Sequence, residues 1–213
     1  MNVKNIFVLL VLVSTYISAQ KEDYIWLYGD EPYDIVLPER AADTTRGASN
    51  IDFNFDPPKF YYDPDRFLDF TVTNSSICDE EGQMLLYTNG MVINNKFHEH
   101  VADTINYGDD WEYNNFEWNG MPIPAGLTGI QSALILPFPG LPNFYYTFYV
   151  NSDLSNLFFN KFNISYALVE VGSSYPEGRI VIKDAEILRD SLTGSMTAVR
   201  HGNGRDWWLI APQ

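Results

Sequence analysis

Cysteine is almost absent from this chain of 213 residues: Cys78 stands alone. No internal disulfide can form, and three histidines in predicted loops offer Cys78 no local partner for a nucleophilic pair. A small, buried, inert thiol at a strand end is the expectation for "SSICDEEG". Positive charge is also scarce, with 13 Lys and Arg against 28 Asp and Glu and a formal net charge of −15. Such a balance excludes nucleic acid and anionic lipid head groups as partners reached through counterion release. No apolar run reaches the roughly 20 residues a membrane-spanning helix needs, so no transmembrane segment is expected. Helical periodicity is scarce as well; only "DAEILRDSL" offers one helical turn or an edge segment. There is no G-x-S-x-G elbow for a nucleophilic serine.

What is present begins with an address. "MNVKNIFVLLVLVSTYISAQ" places Lys4 before the apolar run Ile6–Val13 and small residues at Ser18-Ala19. This three-part pattern reads as a secretory signal peptide over 1–19, cleaved after Ala19. The remaining 194 residues carry 12 bases against 28 acids, a net −16. That length suits one domain, over 20–213, that is secreted or displayed at the cell surface.

Strand signals fill that domain. "DYIWLYGD" alternates and ends in a turn, and "NIDFNFDPP" alternates polar and aromatic residues. "FTVTNSSI", "QMLLYT", "MVIN", "QSALILP", "FYYTFYV", "ISYALVEV", "GRIVIK", "SMTAVR" and "DWWLIAP" follow, separated by Gly-, Pro- and Asn-rich turns. Asn89-Gly90 between two apolar runs predicts a tight two-residue hairpin turn with both residues at positive φ. The expectation is an all-β fold of antiparallel hairpins and meanders. Three segments share a strand, a Gly-containing turn and an aromatic or aliphatic strand. Leu86, Thr147 and Trp208 occupy similar places in them, 61 residues apart in each step. A period of that length fits β-propeller-like blades, as a partial propeller; a β-sandwich is the alternative.

The stretches "WLYG", "IDFNFDPP", "SSICDEEGQMLLYTNGMVINN", "INYGDD", "GIQSALILPFPG", "NFYYTFYV" and "TAVRHGNGRDWWLIAP" carry a resemblance. Over most of Tyr24 to Pro212 the chain resembles the N-terminal part of secreted β-propeller-like surface proteins of the Bacteroidetes type, cargo of type IX secretion. The resemblance implies further blades and a C-terminal sorting domain beyond Gln213, so that 20–213 would be the first blades of a larger protein. It supplies no catalytic residues. About three blades cannot close a ring, so self-association through exposed blade edges is expected. Trp207 and Trp208, adjacent on the last strand, face opposite sides. Both need cover if the strand is an inner one; otherwise Trp208 packs in the core and Trp207 caps an edge.

Several short stretches carry candidate chemistry. "FHEH" sets His98 and His100 two apart, but zinc needs a third ligand and the H-E-x-x-H spacing is missing, so no metal site is assigned. "DFNFDP" imitates the opening of an EF-hand, yet Pro57 stands where the loop requires glycine. Weaker calcium capture by "YDPDRFLD" or "YGDDWE" is left open; no other cofactor is implied. "GDDWEYNNFEWNG" gathers Asp109, Asp110, Trp111, Tyr113 and Trp118, an aromatic and acidic loop of the kind that contacts glycans or proteins. Asn74 and Asn163 stand in the glycan-acceptor pattern. Three functional readings follow: a non-enzymatic scaffold or interaction module binding glycan or protein through loops, a glycoside hydrolase-like enzyme using loop carboxylates, or a fragment of a larger propeller protein without function of its own.

Overall fold

The computed structural model describes residues 21–29, 48–66, 68–70, 72–102, 105, 115–118, 121–124, 126–127, 129–153, 161–190 and 194–212. Among them the chain is all-β: five antiparallel sheets, no helix, and no sheet closed into a barrel. Strands β1 (Ile25–Tyr28), β2 (Ser49–Asp52) and β3 (Lys59–Tyr62) form a three-stranded meander. Strands β4 (Ser75–Cys78), β5 (Met84–Thr88), β6 (Ile93–Asn95) and β7 (His100–Ala102) form a four-stranded one in chain order. Hairpin β8 (Asn115–Trp118) and β9 (Met121–Pro124) stands as its own two-stranded sheet. A second four-stranded meander follows: β10 (Ala133–Pro137), β11 (Phe144–Asp153), β12 (Lys161–Gly172) and β13 (Tyr175–Asp190). Hairpin β14 (Thr197–Arg200) and β15 (Trp207–Ile210) ends the described chain. The segment "DAEILRDSL" therefore contributes Asp184 to Asp190 to an edge strand rather than to a helical turn.

Period-2 patterning decides which side chains meet in β1 and in β10–β12, whereas β5 buries the adjacent Leu86 and Tyr87 together. Ile77, Leu86, Tyr87 and Ile93 from the first four-stranded sheet share one apolar cluster with Ile135, Tyr149, Ala167, Val169 and Val171 from the second. Ile25 and Leu27 of β1, with Leu68 and Phe70, close the same cluster. The other face of the second four-stranded sheet holds Leu134, Phe148, Val150 and Ile164, and there Met196, Leu209 and Ala211 pack on it. Two apolar layers thus flank that sheet, one against β4–β7 and one against β14–β15.

The β5–β6 turn differs from the tight turn predicted at Asn89-Gly90. The pairing closes at Thr88 with Ile93, so four residues connect the strands, and of these only Gly90 has positive φ (86°). The reason is side-chain capping and burial. Asn89 Oδ1 accepts from the Met91 and Val92 amides at 3.1 Å each, and Thr88 Oγ1 accepts from Gly90 N and donates to Val92 O. Leu127 lies directly over Gly90, where a Cβ would fall 2.4 Å from its Cδ1. A wider, capped turn satisfies the backbone of a segment that water does not reach.

The last hairpin resolves the two tryptophans in an order not anticipated. Trp207 is half-buried under the Arg200 guanidinium, 4.7 Å from its ring, whereas Trp208 is 59 % exposed. Trp207 lies on the face shared with Ala198 and Leu209, and Leu209 packs on the body. Trp208 lies with Val199 and Ile210 on the outward face.

Candidate recognition surface

The alternation in "IWLY" sends Ile25 and Leu27 into the core and Trp26 and Tyr28 outward. Register carries this choice across the sheet. Trp26 faces Ile51, which faces Phe60; Tyr28 faces Ser49, which faces Tyr62. The outer face of β1–β2–β3 therefore holds two cross-strand rows, with Trp26 46 %, Tyr28 43 % and Phe60 75 % exposed. Neighbouring strands lie about 4.8 Å apart, which sets Trp26 and Phe60 about 10 Å apart across the face. Phe53, from the β2–β3 turn, extends the apolar area, its ring 5.0 Å from that of Trp26. Aromatics this exposed and this close on one face mark a contact surface.

The surface is held rigidly. The Trp26 indole donates to the backbone oxygen of Asp23 at 2.9 Å. Ser76 Oγ donates to Ile25 O, and Cys78 N donates to Glu22 O, so β1 is tied along β4. The β2–β3 turn is closed by Asp52 Oδ1 accepting from Asn54 N, and Asn54 Nδ2 donates to Gly82 O at 2.7 Å. The other end of β1 is clamped by Arg66, a fully buried arginine that sequence patterning does not single out. Its guanidinium donates to the backbone oxygens of Tyr28, Gly29 and Leu68 and lies 4.6 Å from the Phe70 ring centre.

Beside Trp26 and Tyr28 opens a notch of about 260 Å³, lined by Asp23, Trp26, Leu27, Tyr28, Asn74 and Ser76. A second, larger depression of about 610 Å³ lies between the β4–β5 and β10–β11 turns. Glu22, Asp79, Glu80 and Glu81 stand on one side of it and Phe138, Leu141, Phe144 and Tyr145 on the other. Its acids are partly committed: Asp79 Oδ1 accepts from Glu81 N and Gln83 N to cap its own turn, and Glu22 pairs with Arg200 at 3.4 Å. Burial pushes the Tyr145 hydroxyl up to about 12, and the neighbouring acids add to the shift. Cys78 is a free thiol buried at the end of β4, as expected, and burial raises it to about 11.

The predicted loop residues fall elsewhere. Asp109, Asp110, Trp111 and Tyr113 lie outside the described residues. Trp118 is the last residue of β8 and pairs with Met121 across the hairpin. His98 sits in the β6–β7 turn with φ at 64°, and His100 opens β7. Both His98 nitrogens are engaged: Nδ1 is 2.8 Å from the Tyr87 hydroxyl and Nε2 is 3.5 Å from Asp63 Oδ2. Asn94 Nδ2 donates to the same hydroxyl, and Asn50 Nδ2 donates to Asp63. This Asp63–His98–Tyr87–Asn94 series joins the end of β3 to the β4–β7 sheet. Tyr87 in this series is fully buried, and burial raises its hydroxyl to about 12. Among the described residues no three His, Cys, Asp or Glu side chains gather in a way that could hold a metal ion. Among the same residues no helix is long and apolar enough to cross a membrane.

Compared with known proteins, the chain matches no family model, no curated protein and no solved structure.

Proposed function

We propose that the protein is an exported, non-enzymatic recognition module that binds carbohydrate through the outer face of β1–β2–β3. The observation that carries this reading is the pairing of exposed, outward-facing Trp26, Tyr28 and Phe60 with a polar notch at their edge. Aromatic faces carry negative quadrupole density, which attracts the weakly positive C–H faces of a pyranose ring. The hydroxyl groups at the rim of the same ring need donors and acceptors, which the notch offers. Rigid anchoring of β1 lowers the ordering cost on binding. The export address is the one carried by residues 1–19, and a surface location in the manner of type IX cargo belongs to the same proposal. The stretch containing Asp109, Asp110, Trp111 and Tyr113, with Trp118 at the end of β8, has the composition for a second contact patch.

The test is retention of the protein on immobilised neutral polysaccharides, with wild type, Trp26→Ala, Phe60→Ala and Trp111→Ala in parallel. Loss of retention in the first two variants supports the sheet face. Loss only in Trp111→Ala moves recognition to the loop. Turnover of reporter glycosides by the wild type would replace binding with hydrolysis as the activity.

A further inference from the structure

We infer that the notch beside Trp26 and Tyr28 is a selectivity subsite for one uncharged hexopyranose ring, and that Asp23 makes the surface reject anionic sugars. This rests on the carbohydrate reading above and adds to it the class of sugar.

Size comes first. Sites for drug-sized ligands run from about 300 to 1,000 Å³. At about 260 Å³ the notch falls just below that range, so it takes one ring and leaves the rest of a chain to lie across Phe60 and Phe53. Chemistry comes second. The aromatic wall is Trp26 and Tyr28, and the polar wall is Asp23, Asn74 and Ser76. Asn74 is exposed and supplies both a donor and an acceptor from one amide. Ser76 Oγ already donates its proton to Ile25 O, so toward a ligand it can only accept. Asp23 holds the Trp26 indole through its backbone oxygen, which leaves its carboxylate out of that contact. A carboxylate accepts from two vicinal hydroxyls at once, the pattern that a hexose presents and a lipid or apolar peptide does not.

Charge comes third. A uronate or sulfated sugar placed in the notch would bring its own negative charge against Asp23, in a chain whose formal net charge is already −15. Among the described residues no lysine or arginine lines the notch to offset it. Repulsion at such short range is only partly screened at physiological salt, where the Debye length is about 8 Å. Neutral sugars meet no such barrier, so discrimination arises by rejection of the wrong ligand rather than tighter contact with the right one.

The experiment measures affinity of the full chain for neutral hexo-oligosaccharides and for oligouronates of equal length, at 0.15 M and 0.5 M salt. Wild type, Asp23→Asn, Asn74→Ala and Trp26→Ala are compared, with near-ultraviolet circular dichroism confirming each fold. Wild type is expected to prefer neutral sugars by at least about tenfold, which is about 1.4 kcal/mol, and less at the higher salt. Asp23→Asn should erase most of that preference, Asn74→Ala should weaken neutral binding about fivefold to tenfold, and Trp26→Ala should abolish binding. If wild type binds no sugar of either kind, the carbohydrate reading falls and the subsite falls with it. If sugars bind and Trp26→Ala abolishes binding, but Asp23→Asn and Asn74→Ala change neither affinity nor preference, the subsite alone is overturned. Preference for oligouronates by the wild type would overturn it too.

Discussion

Gly90 and Arg66 each hold a place in the fold that no other residue type fills. Gly90 combines φ of 86° with a Cβ position 2.4 Å from Leu127 Cδ1. Alanine there meets both a disfavoured backbone and a packed neighbour, and Gly90→Ala should cost about 2 kcal/mol or more in urea unfolding. An unchanged midpoint would mean that Leu127 moves aside freely. Arg66 serves three backbone oxygens at the end of β1 from a site without solvent. Arg66→Met leaves those carbonyls unserved and should lower stability by about 3 kcal/mol. Arg66→Lys should recover less than half, because a single ammonium cannot span the positions a planar guanidinium reaches. The same loosening reaches Tyr28, so sugar retention by Arg66→Lys should fall while the protein remains folded. Neither role is legible from the chain. "DPDRFLD" reads as a charged loop, and besides the local carbonyl of Leu68 the oxygens that Arg66 serves come from residues 28 and 29, brought to it only by tertiary packing.

At the scale of elements, alternation is the most informative signal, and it fails where the chain breaks it. "IWLY" declares which residues of β1 turn inward, and "FYYTFYV" and "ISYALVEV" mark β11 and β12 correctly. Strand β13 spans Tyr175–Asp190, yet its register against β12 shifts at four places and Asp184 adopts φ of 53°. Such bulges throw side chains onto the wrong face for a period of two, which is why Asp184 to Leu192 has an ambiguous pattern. The candidate surface on β1–β2–β3 was half legible for a related reason. Trp26 stands in a stretch that reads as a strand, but "KFYY" carries no such mark, has aromatics on both faces, and only the pairing with Ile51 shows that Phe60 looks outward. The β14–β15 turn gives an element-scale prediction. Arg205 beside Asp206, with help from Asn203, holds the Asp206 carboxyl down to about 2. A depressed carboxyl stabilises the turn in full above its ordinary value of 3.8 and loses that contribution as pH falls through about 2. Amide shifts of Asn203 and Arg205, followed by NMR between pH 5 and 1.5, should show a midpoint near 2. A midpoint at the ordinary value would mean that the contacts to Arg205 and Asn203 do not persist in solution.

At the scale of the whole molecule, the two apolar layers flanking the second four-stranded sheet are occupied on their inner sides, and the outer face of β14–β15 is left bare among the described residues. The inner layer contains Tyr87 and Tyr149, both fully buried, and Tyr145 lies at its margin. Burial raises all three hydroxyls, with Asp184 adding to the shift at Tyr149, so folding stability drawn from them is complete below pH 10 and is lost as pH rises through their raised values. Absorbance at the phenolate band should therefore show these tyrosines ionising together with loss of the near-ultraviolet circular dichroism signal, not before it. The outer side presents a different problem. Val199, Trp208 and Ile210 share the exposed face of β14–β15, and Val181 and Ile187 are exposed on β13, which among the described strands is paired only with β12. An apolar hairpin face and a long edge strand each favour association with another surface of like character. Size-exclusion chromatography with light scattering on residues 20–213 should accordingly show mass rising with concentration. The combined variant Val199→Thr, Trp208→Ser and Ile210→Thr should return a monomer with stability unchanged to within about 0.5 kcal/mol, because these side chains are exposed in the single chain. Leu209→Ala, one residue from Trp208 on the opposite face, should instead destabilise by about 2 kcal/mol through loss of packing against Val150 and Ile164 without altering association. A wild type that stays monomeric at every concentration would show that the bare face is tolerated in water and that the hairpin's work is confined to covering the second four-stranded sheet.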